Sequence, residues 1–311
     1  MGWFARIWRR LYLLLLWGSV AALIGAELAL LQGGIVLGGV AYMGVLLGML
    51  LLSATAPTEA SARLAQLLTL MPALRIMTLT LPLTLLPRYG WYVLTGLPML
   101  LATLLFVRRM RLPRRQLGLT LAGLWLQLGL TGAGVGLGVV LYHLLRPPLL
   151  VAAPTPRLLL LAALSLLCFN GLVEELFFRG VLRLVAKPAL GLAAPVFGAV
   201  LYTGLSVGYG SPIYLMIVFL LTLVLWFIVG QSRSLVGATL LHASLSITML
   251  LVMPILATPD YVAYVPLVYL GIGIASAIGV LALVGLVWQR ASLLFPSAYR
   301  HTAARRRVPL A

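Results

Sequence analysis

The sequence is short of charge. Only 9% of its 311 residues are Asp, Glu, Lys or Arg, against roughly 25% in ordinary globular proteins. Hydrophobic residues make up 63% of the chain, so a soluble fold would have too few polar residues to cover its apolar surface. The composition therefore excludes a soluble domain of any size and indicates burial in a membrane.

Cysteine and acidic residues are also scarce. Cys168 is the one cysteine, so neither a disulfide framework nor a cysteine metal cluster can form within one chain. The chain has five carboxylates, which leaves few candidates for acid or base chemistry: Glu27, Glu59, Glu174, Glu175 and Asp260.

Long apolar runs recur from one end of the sequence to the other. A helix needs about 20 apolar residues to cross the hydrocarbon core, and clusters of Arg, Pro and Gly separate the runs. We therefore predict an all-α, polytopic transmembrane helical bundle of about ten spans. The predicted spans lie near residues 11–31, 35–53, 70–86, 91–107, 117–145, 158–178, 189–206, 212–230, 235–253 and 261–288. The first run is too long for a signal peptide and has no convincing cleavage site, so we expect it to be retained.

The basic residues are distributed unevenly between the two sides of this bundle. With the N-terminus inside, nineteen of the 22 Lys and Arg residues fall on inside segments, and only Arg88, Arg146 and Arg157 fall outside. This is the positive-inside pattern. It predicts that both termini are cytoplasmic and that the +17 charge interacts with the lipid bilayer rather than with nucleic acid. We expect the membrane to be a prokaryotic cell membrane.

The chain is predicted to have three regions. Residues 1–114 form N-terminal transmembrane helices, residues 115–253 form a core with the candidate site, and residues 254–311 form the last span and a basic cytoplasmic tail. Residues 57–70 have the pattern of an amphipathic interfacial helix. Small-residue faces for close helix packing are predicted in the fifth and tenth spans, at Gly132, Gly134, Gly136, Gly138, Gly271 and Gly273.

Two adjacent acids lie inside the apolar sixth span, in Cys-Phe-Asn-Gly-Leu-Val-Glu-Glu-Leu-Phe-Phe-Arg-Gly. An ionised group there costs at least about 2.5 kcal/mol on insertion scales. Glu175 and Arg179 are four residues apart and share a helix face, which predicts an ion pair. Glu174 points about 100° away, so it is the acid available to take a proton from water. Alternatively, both acids lie near the inner end of the span and interact with Arg179, Arg183 and Lys187.

His242 is the only histidine well inside an apolar segment. Its imidazole can ligate a metal or bind a water, although a lone membrane histidine more often makes a helix-to-helix hydrogen bond. His143 lies near the outer end of the fifth span, and His301 lies in the basic tail. Neither is expected at the site.

Together these residues resemble the CAAX prenyl-endopeptidase and bacteriocin-processing (CPBP, or Abi) intramembrane proteases. The family's first motif, Glu-Glu-x-x-x-Arg, is matched by Glu174, Glu175 and Arg179. Its second motif, an aromatic residue, three others and His, aligns with Tyr202 to Ser206, where the histidine is replaced by serine. Its third motif, His-x-x-x-Asn or Asp, aligns with His242 and Ser246.

The resemblance implies a membrane endopeptidase acting on membrane-associated peptides. It implies Glu174 as the base that activates water, Glu175 with Arg179 as its support, and His242 as a metal ligand or oxyanion donor. Zinc is the metal expected if the chain is active, but His242 with carboxylates would lack the usual three protein ligands of catalytic zinc. We therefore expect little or no metal-dependent peptidase activity.

The resemblance also places a requirement on the seventh span. With bounds of 189–206, that span puts Ser206 near the outer side of the membrane, whereas Glu174 and His242 lie toward the inner side. The family arrangement requires the span to begin later, after Pro195, with residues 187–194 forming a loop or half-helix.

Three other functions remain open at the level of sequence, one of which is a structural membrane subunit with no site of its own. A descendant without hydrolysis could bind membrane peptides or act as a scaffold through the same cavity. A small-molecule or proton-coupled transporter could use Glu27, Glu174 and Glu175 to line a path, although no internal repeat supports it.

Overall fold

The structure is a computed structural model that describes residues 3–121 and 123–294, and throughout that part of the chain the regular structure is helical. The α-helices are α1 (Trp3–Ala54), α2 (Glu59–Thr80), α3 (Arg88–Arg109), α4 (Leu124–Leu145), α5 (Pro156–Ser165), α6 (Val173–Glu175), α7 (Arg183–Leu190), α8 (Ala194–Gly204), α9 (Pro212–Ser232), α10 (Val236–Ile247), α11 (Met253–Leu256) and α12 (Val265–Leu294). Wider π-helical segments at Leu166–Leu172 and Leu176–Leu182 join α5, α6 and α7, and another at Thr248–Val252 joins α10 to α11. The prediction of an all-α bundle is confirmed.

Seven helical stretches in the described residues are long and apolar enough to cross a membrane, which makes this an integral membrane protein. They are Arg6–Ala54, Arg88–Arg109, Leu124–Leu145, Pro156–Gly204, Pro212–Ser232, Val236–Leu256 and Val265–Trp288. Two of them are 49 residues long, more than twice the length that a single crossing needs. The count of ten spans and the inside placement of both termini stay predictions.

The first long stretch folds back on itself. Gly34 has φ 74°, outside the helical region, and such a left-handed conformation is accessible to glycine at little cost. The Tyr12 hydroxyl donates to the carbonyl oxygen of Leu52 at 2.8 Å, and the Trp8 indole donates to that of Thr55 at 3.3 Å. The two halves of α1 therefore run antiparallel, with the turn between the first two predicted spans.

The second long stretch also turns at a glycine. Gly191 has φ 58° and ends α7, a short 3₁₀ segment follows, and α8 begins at Ala194. The seventh span does begin later than residue 189, but α8 starts at Ala194, just before Pro195 rather than after it. Of residues 187–194, the first four are the end of α7 and the next three are the 3₁₀ segment.

Helix α2 departs from the prediction. An interfacial helix at residues 57–70 and a separate span from residue 70 were expected, but α2 continues unbroken from Glu59 to Thr80. The break is absent because buried side chains continue on both sides of residue 70, from Leu64 and Leu68 to Met71, along a helix that packs against α1.

Glycines bring α4 close to two other helices. A Cβ added at Gly132 would overlap the carbonyl oxygen of Ala275 in α12, and one added at Gly138 would lie 2.6 Å from that of Leu245 in α10. The small-residue face predicted on α4 is therefore present. The prediction for Gly271 and Gly273 is wrong, because nothing lies within 4 Å of a Cβ at either position, and Gly279 contacts α4 instead.

Gly132→Val is expected to destabilise the bundle by about 3 kcal/mol, because the side chain would press on backbone that cannot rotate away. The measurement is thermal unfolding of the purified protein in detergent micelles. Gly273→Val is the matched control, since its side chain would meet open space. Equal unfolding temperatures for the two variants would contradict the packing described here.

Candidate active site

The two adjacent glutamates lie in a helix that widens on both sides of them. The three residues of α6 are flanked by the π-helical segments Leu166–Leu172 and Leu176–Leu182, a geometry that is rare and frequent at functional sites. The structure directs Glu174 and Glu175 into different surroundings. Glu174 lines a cavity, whereas the side chain of Glu175 is 0% exposed.

Both oxygens of the Glu174 carboxylate accept hydrogen bonds from the protein. Asn170 Nδ2 donates to Oε1 at 3.0 Å, and the Tyr202 hydroxyl donates to Oε2 at 2.7 Å. Asn170 is itself held by Ser246, whose hydroxyl donates to Oδ1 at 2.6 Å. Glu174 is therefore fixed in position by side chains from its own helix, from α8 and, through Asn170, from α10.

Glu175 forms a separate, enclosed network. Its Oε1 lies 3.1 Å from Arg179 Nη1 and 2.9 Å from His242 Nδ1, and Arg179 is only 1% exposed. Arg179 Nη2 also donates to the Thr222 hydroxyl at 3.2 Å. Because a carboxylate can only accept, we assign the proton between Glu175 and His242 to Nδ1, which leaves Nε2 as the uncommitted ring nitrogen.

Tyr202 connects the two networks. Its hydroxyl contacts Glu174, while its ring lies under the Arg179 guanidinium at 4.7 Å. Sequence reasoning identified Tyr202 only as the aromatic residue of the second motif and assigned nothing to Asn170 or Thr222. A signal for Asn170 was present, since it precedes Glu174 by four residues and so shares its helix face.

A cavity of about 450 Å³ brings the site residues together. Its polar wall comes from helices that are distant in sequence, and comprises Glu27, Arg75, Thr78, Tyr92, Thr95, Asn170, Glu174, Tyr202, Ser206, Tyr209, Tyr214, His242 and Ser246. Glu174 and His242 thus face one shared space, with both serines of the altered motifs beside them. Glu175 and Arg179 lie outside this cavity. Of the three acids that the transporter hypothesis places along one path, only Glu27 and Glu174 line the cavity.

Tyr209 adds a hydroxyl group at the edge of this cavity. It lies between the apolar stretches that end at Gly204 and begin at Pro212, with its ring 4.6 Å from that of Tyr214. Burial raises the pKa of Tyr209, and the charge of Glu174 raises it further. A tyrosine hydroxyl is neutral at physiological pH even at its ordinary pKa of about 10, so that of Tyr209 can donate a hydrogen bond.

The residues present do not fit a catalytic zinc ion. Such a site needs three protein ligands, and no group of three His, Cys, Asp or Glu side chains occurs among residues 3–121 and 123–294. Within the cavity, the Glu174 oxygens and one His242 nitrogen are accompanied by the hydroxyls of Ser206 and Ser246, which are poor zinc ligands. His242 therefore lacks the partners that its predicted role as a metal ligand would need.

The other histidines do not contribute to the cavity. His143 pairs with the hydroxyl of Tyr269 at 3.1 Å, on the exposed side of α4 and α12, and it does not line the cavity. His301 lies outside the described residues.

Comparison with known proteins adds an independent finding. Residues 156–248 match the family described as Type II CAAX prenyl endopeptidase Rce1-like, and this segment contains all seven motif positions, from Glu174 to Ser246. The predicted resemblance to the CAAX prenyl-endopeptidase and CPBP proteases is confirmed over that segment. Searches of curated proteins and of solved structures gave no match.

Proposed function

We propose that this chain, with its Rce1-like CAAX prenyl endopeptidase segment, is a membrane-embedded endopeptidase that hydrolyses membrane-associated peptides at a prokaryotic cell membrane. The observation that supports the proposal most directly is the position of Glu174. Its carboxylate faces a cavity within the helical bundle and is held by Asn170 and Tyr202, while His242 faces the same space. A base fixed within reach of a bound water is what hydrolysis of a peptide requires.

The chemistry proposed for Glu174 is proton transfer. A water bound beside the carboxylate loses a proton to Glu174 as its oxygen attacks the peptide carbonyl carbon. Glu174 then returns the proton to the leaving nitrogen as the C–N bond breaks, giving a new carboxylate end and a new amine end. The proton that Glu174 takes from water is the one it returns to the nitrogen, so water and the peptide are the only reactants.

Positioning groups surround this base. The second N–H of the Asn170 amide is the donor best placed to stabilise charge on the carbonyl oxygen. Nε2 of His242, with the ring proton on Nδ1, can accept a hydrogen bond from the attacking water. Glu175 and Arg179 act through His242, because the carboxylate holds its ring by Nδ1 at 2.9 Å. We assign no step to zinc, since the donor set does not fit it.

The test is cleavage of a fluorescent hydrophobic peptide by the purified protein in detergent micelles, with and without a metal chelator. We expect slow cleavage that the chelator leaves unchanged, with products identified by mass spectrometry. Cleavage that stops with chelator and returns with zinc would contradict the proposed chemistry.

A second candidate function is peptide binding without hydrolysis. It is favoured by Ser206 and Ser246, which replace the His and Asn of the family motifs. Both hydroxyls are engaged within the protein, Ser206 with the carbonyl oxygen of Tyr202 at 3.2 Å and Ser246 with Asn170 at 2.6 Å. Saturable binding of the same peptide with no product after prolonged incubation would favour this candidate.

A further inference from the structure

Exposed arginines are concentrated where α3 ends and, next to that segment, where α9 ends. We call them the basic face. Its members, all exposed, are Arg108, Arg109, Arg111, Arg114, Arg115 and Arg233. None of them lines the cavity that contains Glu174, so the basic face is separate from the candidate active site.

Hydrogen bonds fix the backbone that carries these arginines. The Ser234 hydroxyl donates to the carbonyl oxygen of Thr120 at 2.6 Å, and the Thr120 hydroxyl donates to that of Arg233 at 2.8 Å. In addition, Arg183 Nη2 donates to the carbonyl oxygen of Gln116 at 3.0 Å. The two parts of the basic face are therefore held side by side, which reduces the entropy that a ligand would lose on binding there.

The charge of the basic face is not neutralised within the described part of the chain. The ion pairs among residues 3–121 and 123–294 use the carboxylates of Glu27, Glu59 and Glu175, and none of these pairs involves an arginine of the basic face. Six like charges in one region create a positive potential that attracts anions. An anionic ligand would therefore be bound favourably.

Two arginines of the basic face have a backbone conformation that favours another residue type. Arg111 follows the C-cap of α3 with φ 51°, and Arg233 is the C-cap of α9 with φ 53°. Helices that end in this left-handed region usually have glycine or asparagine there, because a larger side chain is disfavoured. Arginine at both positions indicates that the side chains have a use for which backbone strain is tolerated.

The basic face lies at one end of the bundle, where apolar helices terminate. Arg109 is the last residue of one stretch that can cross a membrane, and Leu124 begins the next. Likewise, Ser232 ends one such stretch and Val236 begins another. The ends of membrane-crossing helices lie at the level of the lipid headgroups, so the basic face lies at that level too.

Exposed apolar side chains follow the arginines along the chain. Leu119 is 47% exposed, Leu121 is 70% exposed, and Trp125 at the start of α4 is 85% exposed. Tryptophan is enriched at the membrane interface, where its ring lies among the headgroups. A soluble anion would leave these side chains uncovered, whereas the acyl chains of a lipid would remove them from water.

We propose that the basic face binds the headgroup of an anionic phospholipid, with its phosphate on the arginines of residues 108–115 and its acyl chains along Leu119, Leu121 and Trp125. A guanidinium suits a phosphate because it donates two parallel N–H bonds. A zwitterionic headgroup brings its own cation, which the arginines repel. The site therefore selects lipids by net negative charge, and it does so independently of the proposed hydrolysis.

The experiment measures quenching of Trp125 fluorescence by brominated lipids, using the full-length protein in uncharged detergent micelles. Brominated phosphatidylglycerol is compared with brominated phosphatidylcholine, and the signal of a Trp125→Phe protein is subtracted. We expect phosphatidylglycerol to reach half-saturation at about tenfold lower mole fraction than phosphatidylcholine. The combined change Arg111→Gln, Arg114→Gln and Arg115→Gln is expected to reduce this preference to about twofold or less.

A matched variant removes the same charge from the opposite end of the bundle. Arg88 begins α3, Arg146 follows α4 and Arg157 lies at the start of α5, and all three are exposed. Replacing these three with glutamine should leave the lipid preference unchanged, because they lie far from the basic face.

Arg111→Gly separates binding from folding. Glycine adopts a positive φ at little cost, so this protein should unfold in lipid-free micelles at the same temperature as wild type or a higher one. Its preference for phosphatidylglycerol should nevertheless be weaker, because one guanidinium is gone.

Equal affinity of the wild-type protein for the two lipids would overturn the proposal, as would the same loss of preference in both triple variants. An Arg111→Gly protein that keeps the full preference would also count against it. Displacement of brominated phosphatidylglycerol by soluble glycerol phosphate at comparable concentrations would overturn it as well, because the ligand would then be a free phosphate ester and not a lipid.

Discussion

Glu174→Gln is expected to lower the rate of peptide cleavage by about 10² to 10⁴-fold, the usual contribution of a general base. Glutamine has nearly the same shape, and its carbonyl oxygen can still accept a hydrogen bond from Tyr202 or Asn170. The amide cannot take a proton from water, so only the chemical step is removed. The measurement is the initial rate of product formation at saturating peptide.

The control for this variant is Glu59→Gln, which removes a carboxylate from the exposed pair with Arg63 and leaves the cavity intact. Its rate should equal that of the wild-type protein. Binding of the peptide to Glu174→Gln should persist, because the apolar wall of the cavity is unchanged. A Glu174→Gln protein that cleaves as fast as wild type would remove Glu174 from the reaction.

Arg179→Met is expected to destabilise the folded protein by about 3 to 5 kcal/mol, since it leaves a fully buried carboxylate without its cation. Glu175 is 0% exposed and its Oε2 has no hydrogen-bond partner among the described residues. After the substitution, only His242 remains beside this charge. Thermal unfolding in detergent should show a large decrease in the midpoint temperature.

The double variant Glu175→Gln with Arg179→Met separates charge from packing. If the unpaired charge causes the loss, removing it should recover much of the stability, and the two substitutions should be strongly non-additive. Arg63→Met provides the comparison at an exposed pair, where about 0 to 1 kcal/mol is expected. Similar losses in Arg63→Met and Arg179→Met would contradict the importance of burial.

The local part of the site could be read from spacing. Glu175 and Arg179 pair at four residues apart because a helix brings those positions to one face, and the same rule places Asn170 beside Glu174. The close helix packing through the glycines of α4 could also be predicted from the sequence. The glycines of α12 show the limit of that reasoning, because Gly273 has the right residue type and no helix against it.

The sequence by itself determined that this is a helical membrane protein with a segment of the CAAX prenyl endopeptidase kind, since apolar run length and motif spacing are local properties. The tertiary structure alone decided which polar groups share a cavity. Contacts such as Tyr202 with Glu174, His242 with Glu175 and Arg75 with Glu27 join residues 28, 67 and 48 positions apart. Such contacts depend on the turns at Gly34 and Gly191 and on which helices pack together, and side chains brought together by packing have no fixed spacing along the chain.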